Sequence, residues 1–148
     1  MSKFKTLESG VSVSPQLVAE DFAEIARLGF RTIVNNRPDG EAPEQLPSDV
    51  ARDLAQAHGL AYHYLPLRGY EVTDEDKVDA FVALAANAEE PVLFYCRTGT
   101  RCTLLWAQWA APRLGVEAVT AIAAREGYDV SVVRDEMEDR AAIADRAA

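Results

Sequence analysis

Apolar and polar positions along the chain alternate between short strand-like runs and longer helix-like ones. Residues 4–7 and 11–13 are apolar segments on either side of Gly10 and predict two strands, broken by Ser14-Pro15. Val18, Phe22, Ile25 and Leu28 recur at helical spacing, predicting a helix over 18–28. Gly29 stops it, and Phe30 is placed to fold back as a cap contact. The β-branched run at 31–35 predicts a strand, and a polar Gly/Pro-rich loop over 36–47 follows, of a length that often carries function. Ser48 is placed as the N-cap of a helix over 49–58 that Gly59 ends. Residues 61–66 read as a strand ended by Pro66, and 68–72 as a loop. Thr73 and Asp76 fit a capping box, with Asp74 and Glu75 in the first turn of a helix carrying Val78, Phe81, Val82 and Leu84 and ending near Ala88.

Residues 92–95 are apolar throughout, which predicts a strand buried on both faces. A helix over 103–111 follows, interrupted by Pro112 and Gly115. A short helix over 117–125 is closed by Gly127. The last predicted helix, from 130 to about 146, is charged, with Val132, Val133, Met137 and Ile143 as a sparse apolar stripe. Strands alternating with helices predict one α/β domain over 1–148, its core over 3–130. It is a three-layer fold: a mostly parallel central sheet with helices on both faces.

Composition narrows the function classes. With 148 residues, 49% hydrophobic and 26% charged, the chain has the make-up of a globular domain. Its formal net charge of −9 argues against a nucleic-acid partner, which needs a basic field, and makes any anion site a local positive spot. No window has the length and apolarity of a membrane span, and the first residues lack the apolar core of an export signal. The two cysteines are therefore expected as free thiols in a reducing, cytoplasmic compartment. With His58 and His63 they lack metal-ligand spacing, so neither a metal nor another cofactor is expected.

The chemistry concentrates where the buried strand ends. Cys96-Arg97-Thr98-Gly99-Thr100-Arg101 is a tight loop between strand and helix. Backbone N–H groups of such a loop converge at the positive end of the helix and form an anion site. The same field favours a thiolate, so Cys96 is a candidate nucleophile with Arg101 facing its anionic substrate. Arg97, Thr98, Gly99 and Thr100 line that loop. A buried cysteine is also a common small core residue; here the strand, the glycine and the closing arginine coincide.

Three segments resemble the phosphatase-like domain family of beta-lactamase hydrolase-like proteins, which is also described as a sulfurtransferase family. They are Gly29-Phe30 running into Asn35-Asn36-Arg37-Pro38-Asp39-Gly40-Glu41, the strand end Tyr64-Leu65-Pro66, and Tyr95 to Arg101. The resemblance covers about residues 3 to 130 and implies a fold similar to dual-specificity protein tyrosine phosphatases. Family members also occur fused to persulfide dioxygenases and sulfide-oxidising enzymes. That context implies a small anionic, thiol or persulfide substrate, and sulfide-oxidation proteins as partners.

Two reactions fit the resemblance. Tyrosine phosphatases place five residues between Cys and Arg, whereas here four, Arg97 to Thr100, stand between Cys96 and Arg101. The shorter loop resembles rhodanese sulfurtransferases. The general acid of dual-specificity phosphatases aligns with Gly69, which carries no carboxylate. Glu71 and Asp74 downstream, or Asp39 and Glu41 from the earlier loop, are candidate replacements; capping explains Asp74 and an exposed loop explains Glu71. Sulfur transfer needs no such acid, because sulfite or thiolate leaves as an anion. The expectation is thus sulfane-sulfur transfer through a Cys96 persulfide, with phosphate monoester hydrolysis through a phosphocysteine as the alternative.

Other residues carry open readings. Cys102 stands where such signatures have Ser or Thr, and is read as a buried structural thiol, a weak donor to Cys96 or a resolving cysteine. Arg37 either leans into the site as a second cation or pairs with Asp39 to fix the loop, the pair being favoured. His63, Trp106 and Trp109 are read as packing or surface residues.

Overall fold

The computed structural model describes residues 2–147. Five strands form one sheet: β1 (Lys5–Glu8), β2 (Val11–Ser14), β3 (Thr32–Asn35), β4 (Ala61–Tyr64) and β5 (Val92–Tyr95). Their order is β1-β2-β5-β3-β4; only the β1–β2 pair is antiparallel. The all-apolar strand is therefore the central one, β5. Val92, Phe94 and Cys96 enter one core cluster, and Leu93 and Tyr95 enter the other. Both faces are covered, as parallel sheets require.

Helices α1 (Asp21–Arg27) and α2 (Ser48–Ala57) cover one face through Phe22, Ile25, Ala51 and Ala55. Helices α3 (Glu75–Asn87), α4 (Thr100–Leu114), α5 (Val116–Arg125) and α6 (Arg134–Ala147) cover the other through Phe81, Leu105, Trp106, Val119, Ala123 and Met137. This is the expected three-layer, mostly parallel α/β fold. Among the described residues no helix is long and apolar enough to cross a membrane.

Several local expectations are corrected. α1 begins at Asp21, not Val18, because the Asp21 carboxylate accepts the Val18 N–H at 2.7 Å and holds that segment in a turn. Ser48 is the first residue of α2, not its cap: Asp39 reaches over and accepts both its N–H and its hydroxyl, at 2.8 and 2.7 Å. The Thr73–Asp76 capping box is not formed; Asp74 caps α3 by accepting the N–H groups of Asp76 and Lys77. α4 runs through Pro112 because almost every residue from Cys102 to Ala111 is buried, and packing all round outweighs one missing bond near its end. In the last segment Val133 and Met137 are buried, but Val132 and Ile143 are exposed, so the apolar stripe is half as wide as predicted.

The loops after β2, β3, β4 and β5 leave the same edge of the sheet, the carboxyl ends of the parallel strands, where open α/β folds place ligands. Short backbone bonds lace them together. Gln16 N–H donates to Arg97 O at 3.2 Å, Asn36 N–H to Tyr95 O at 2.8 Å and Leu67 N–H to Asn36 O at 3.1 Å.

Candidate active site

β5 delivers Cys96 to this edge, where it is 1% exposed. The chain then turns through Arg97 and Thr98 into Gly99, whose φ of 88° lies in the left-handed region and swings the backbone into α4. That turn aims the Gly99 N–H at the Cys96 sulfur, 3.1 Å away. The Gly99 carbonyl accepts from the Thr103 N–H at 3.0 Å and from its hydroxyl at 2.8 Å, locking the first turn. α4 therefore starts at Thr100, three residues earlier than its apolar pattern predicts, and Arg101 and Cys102 ride on that first turn.

The Cys96 thiol is held down to about 6. The first cause is the hydrogen bond from the Cys102 side chain; burial opposes it, and the Cys102 and Gly99 N–H groups and the Arg101 charge add to it. Cys102 is fully buried, and burial beside a thiolate pushes its own thiol well up. Its single S–H has two acceptors in reach, the Cys96 sulfur and Asn36 Oδ1 at 3.4 Å. Once Cys96 is ionised, the charged sulfur is the stronger acceptor. Cys96 is thus a thiolate at neutral pH, and Cys102 is the neutral donor that keeps it so.

Arg101 closes the loop. Its guanidinium donates to both carboxylate oxygens of Glu41, at 2.9 and 2.8 Å, and to Leu67 O at 3.0 Å. Arg37 donates to the same Glu41 carboxylate at 2.8 Å and to Gln16 Oε1 at 3.1 Å. The favoured Arg37–Asp39 pair is therefore not formed. Arg37 leans into the site, and Asp39 is drawn off to cap α2 because the Ser48 donors lie within its reach. The hydrogen bonds from Arg101, then those from Arg37, hold the Glu41 carboxyl down to about 2 against its partial burial.

Tyr128, from beyond α5, donates its hydroxyl to Thr98 O at 3.1 Å and covers the loop. Burial first, and then the Cys96 charge, pushes its hydroxyl up to about 12, so it stays protonated. Thr98 and Thr100 bond to each other through their hydroxyls at 2.8 Å, and the exposed Arg97 side chain stands at the mouth. A cleft of about 480 Å³ opens beside it, lined by Leu17, Val18, Arg37, Leu46 and Arg97 among others.

The structure thus gathers Cys96, Arg97, Thr98, Gly99, Thr100, Arg101, Cys102 and Arg37. It engages Glu71 and Asp74 elsewhere. Glu71 accepts the Arg68 N–H at 2.7 Å and faces Lys77, and Asp74 caps α3. Gly69 begins a single helical turn, Gly69–Glu71, with no acid in its place. Asn36, Gln16 and Tyr128 were not singled out from sequence. Asn36 lies within the second motif, but nothing in the local pattern around Tyr128 ties it to a loop thirty residues away.

Residues 3–113 match the family model for the beta-lactamase hydrolase-like protein, phosphatase-like domain. The chain belongs to this family. It is 34% identical over 130 residues to a beta-lactamase hydrolase-like protein of Xylella fastidiosa, covering 86% of this chain and 30% of that protein. The phosphatase-like domain thus spans less than a third of the length of the curated relatives it matches. Among solved structures, a candidate phosphatase (nma1982) from Neisseria meningitidis superposes with a TM-score of 0.83 at 32% identity, over 95% of this chain and 99% of that one. The catalytic core of the PP-IP phosphatase SIW14 from S. cerevisiae superposes with a TM-score of 0.70 at 15% identity, over 99% of this chain and 93% of that one, and carries the fold alone. The fold is that of the protein tyrosine phosphatase-like enzymes.

Proposed function

We propose that this domain is a cysteine-dependent phosphatase that hydrolyses phosphate monoesters through a phosphocysteine at Cys96. The observation that carries the reading is the buried Cys96 sulfur at the N-terminus of α4, with the Gly99 N–H aimed at it from 3.1 Å and Arg101 on the first turn, a setting that lowers the thiol. That arrangement binds an oxyanion and attacks it with the same group of atoms. The phosphatase-like family and the fold support this order over the one expected from sequence. The thiolate attacks phosphorus, forming the S–P bond as the P–O bond to the leaving group breaks. Water then displaces the thiolate and releases inorganic phosphate. With Gly69 where an acid is expected, the best substrates are aryl phosphates, whose leaving groups need least protonation. The cleft lined by Leu17, Val18 and Leu46 suits their rings.

The test is turnover of an aryl phosphate. Cys96→Ser is expected to lower it by at least about a thousandfold, and a phosphoenzyme trapped with wild type is expected to be absent from the variant. Activity that survives in Cys96→Ser would remove the thiol from the reaction.

A second reading keeps sulfur. Four residues close the loop, and N–H groups of Gly99 and Cys102 point at the sulfur itself, an arrangement suited to holding one extra sulfur atom. The Cys96 thiolate would attack the sulfane sulfur of a donor such as thiosulfate, forming the persulfide S–S bond as the donor's S–S bond breaks and sulfite leaves; cyanide would remove the outer sulfur as thiocyanate. Sulfide-oxidation proteins would be the partners of this reaction and the cytoplasm its place. Intact mass after exposure to thiosulfate or glutathione persulfide separates the two readings.

A further inference from the structure

The closing arginine of an anion loop is expected to be free for substrate, yet Arg101 is engaged. Its two terminal nitrogens grip Glu41 side-on, at 2.8 and 2.9 Å, as a guanidinium grips an oxyanion. Arg37 completes the grip on Oε1 at 2.8 Å. Two arginines from separate elements, the first turn of α4 and the loop after β3, thus converge on one carboxylate. Their side chains are 13% and 5% exposed, so neither is a solvated surface charge. Their other contacts, Leu67 O and Gln16 Oε1, are neutral. Glu41 gives the two guanidinium groups one carboxylate and two acceptor oxygens, and the Cys96 sulfur lies close enough to Arg101 for each to favour the other's charge. A phosphate-type group carries about −1.5 to −2 charges at neutral pH and offers three oxygens, enough to meet both guanidinium groups and the loop N–H groups at once where Glu41 offers two.

The clamp is also easy to open. Glu41 stands on an exposed stretch of loop, and its backbone is held independently, through its N–H to Gln45 Oε1 at 3.1 Å. Displacing the carboxylate therefore asks for a change in the Glu41 side chain and not in its backbone anchor.

We propose that Arg37 and Arg101 together form a binding site for a doubly charged tetrahedral oxyanion, and that Glu41 is the internal ligand that such a substrate displaces. The inference deepens the anion-site reading above and names Arg37 as its second cation. It does not depend on which reaction follows.

The test measures binding, not turnover. Inorganic phosphate and, separately, thiosulfate are titrated into wild type and into Glu41→Gln by calorimetry, with melting temperature followed in parallel. Removing the internal competitor is expected to tighten phosphate or thiosulfate by roughly tenfold. Without anion, Glu41→Gln is expected to melt below wild type, because two buried cations lose their partner, and added dianion is expected to close that gap. Formate, a monoanion, is expected to close it far less. Arg37→Gln in the Glu41→Gln background is expected to abolish the gain in affinity. The dianion that tightens more identifies the source, a phosphate ester or a thiosulfate-type donor. Unchanged or weaker binding of both dianions in Glu41→Gln, or a melting deficit that neither restores, overturns the proposal, and Glu41→Ala is the second variant that must agree. Absence of aryl phosphate turnover in wild type would defeat the proposed reaction while leaving this result readable.

Discussion

At the scale of single residues, the ionisation of the Cys96 thiol depends first on a neighbouring side chain. The first cause of the low Cys96 value is the Cys102 side chain, ahead of Arg101 and the Gly99 N–H. A residue that departs from the usual Ser or Thr has therefore kept the hydroxyl's task. Cys102→Ala is expected to raise the Cys96 thiol from about 6 by about one pH unit, the worth of one charge-assisted hydrogen bond. Cys102→Ser, which keeps a donor, is expected to restore the low value. The pH dependence of iodoacetamide alkylation reads both. Equal values in wild type and both variants would make Cys102 a packing residue only. The thiol, the loop and the closing arginine were legible from sequence because they are consecutive. What Arg101 and Cys102 touch was not: Glu41 and Asn36 lie sixty or more residues away in the chain.

At the scale of elements, glycine does two kinds of work here. α1, α2 and α5 each end at a glycine, and the residue after it donates back to the last turn: Phe30 to Ile25 O, Leu60 to Ala55 O and Tyr128 to Ala123 O. These stops were legible because the chemistry lies within one residue. Starts were not. Asp74 replaces Thr73 at α3, and Asp39 serves α2 from across a loop, because several polar side chains compete for the same N–H groups and folding decides among them. Gly99 does the second kind of work. A Cβ there would lie 2.3 Å from the Tyr128 hydroxyl and 3.5 Å from the Ser14 backbone, in a left-handed conformation. Gly99→Ala is expected to destabilise the domain by on the order of 1–3 kcal/mol, read by denaturant unfolding, and to move the Gly99 N–H off the sulfur. Adding Tyr128→Phe is expected to recover part of the loss, since it removes the nearest atom but not the backbone strain. Full stability in Gly99→Ala alone would show that the loop tolerates another path into α4.

At the scale of the whole molecule, α4 is the member to which distant parts are tied. Its Trp106, fully buried in the core, donates to Glu8 of β1 at 2.6 Å, and Arg113 grips the same carboxylate at 2.8 and 3.0 Å. Its Arg101 grips Glu41 of the loop after β3. Two carboxylates thus join the outer hairpin and the site loop to one helix. Burial raises the Glu8 carboxyl, but the hydrogen bonds from Arg113 and Trp106 outweigh it and leave it lowered; the Arg101 and Arg37 bonds take Glu41 down to about 2. A carboxyl lowered on folding stabilises the native state above its unfolded value, near 4.5, and loses that contribution as the pH falls toward its folded value. Wild type is therefore expected to lose melting temperature steadily from about pH 4.5 toward pH 2. Glu8→Gln with Glu41→Gln is expected to start lower at pH 7 and to decline less over that interval, so that the two curves converge in acid. The Glu41 share of this slope is the larger, because its carboxyl is lowered furthest, to about 2, with solvent screening at its partly exposed side chain trimming it. Glu8→Gln weighs instead on the starting value at pH 7, since the buried Trp106 N–H has its partner there. Parallel curves from pH 7 to pH 2 would place the acid sensitivity of the fold in other carboxylates and leave α4 held by packing alone.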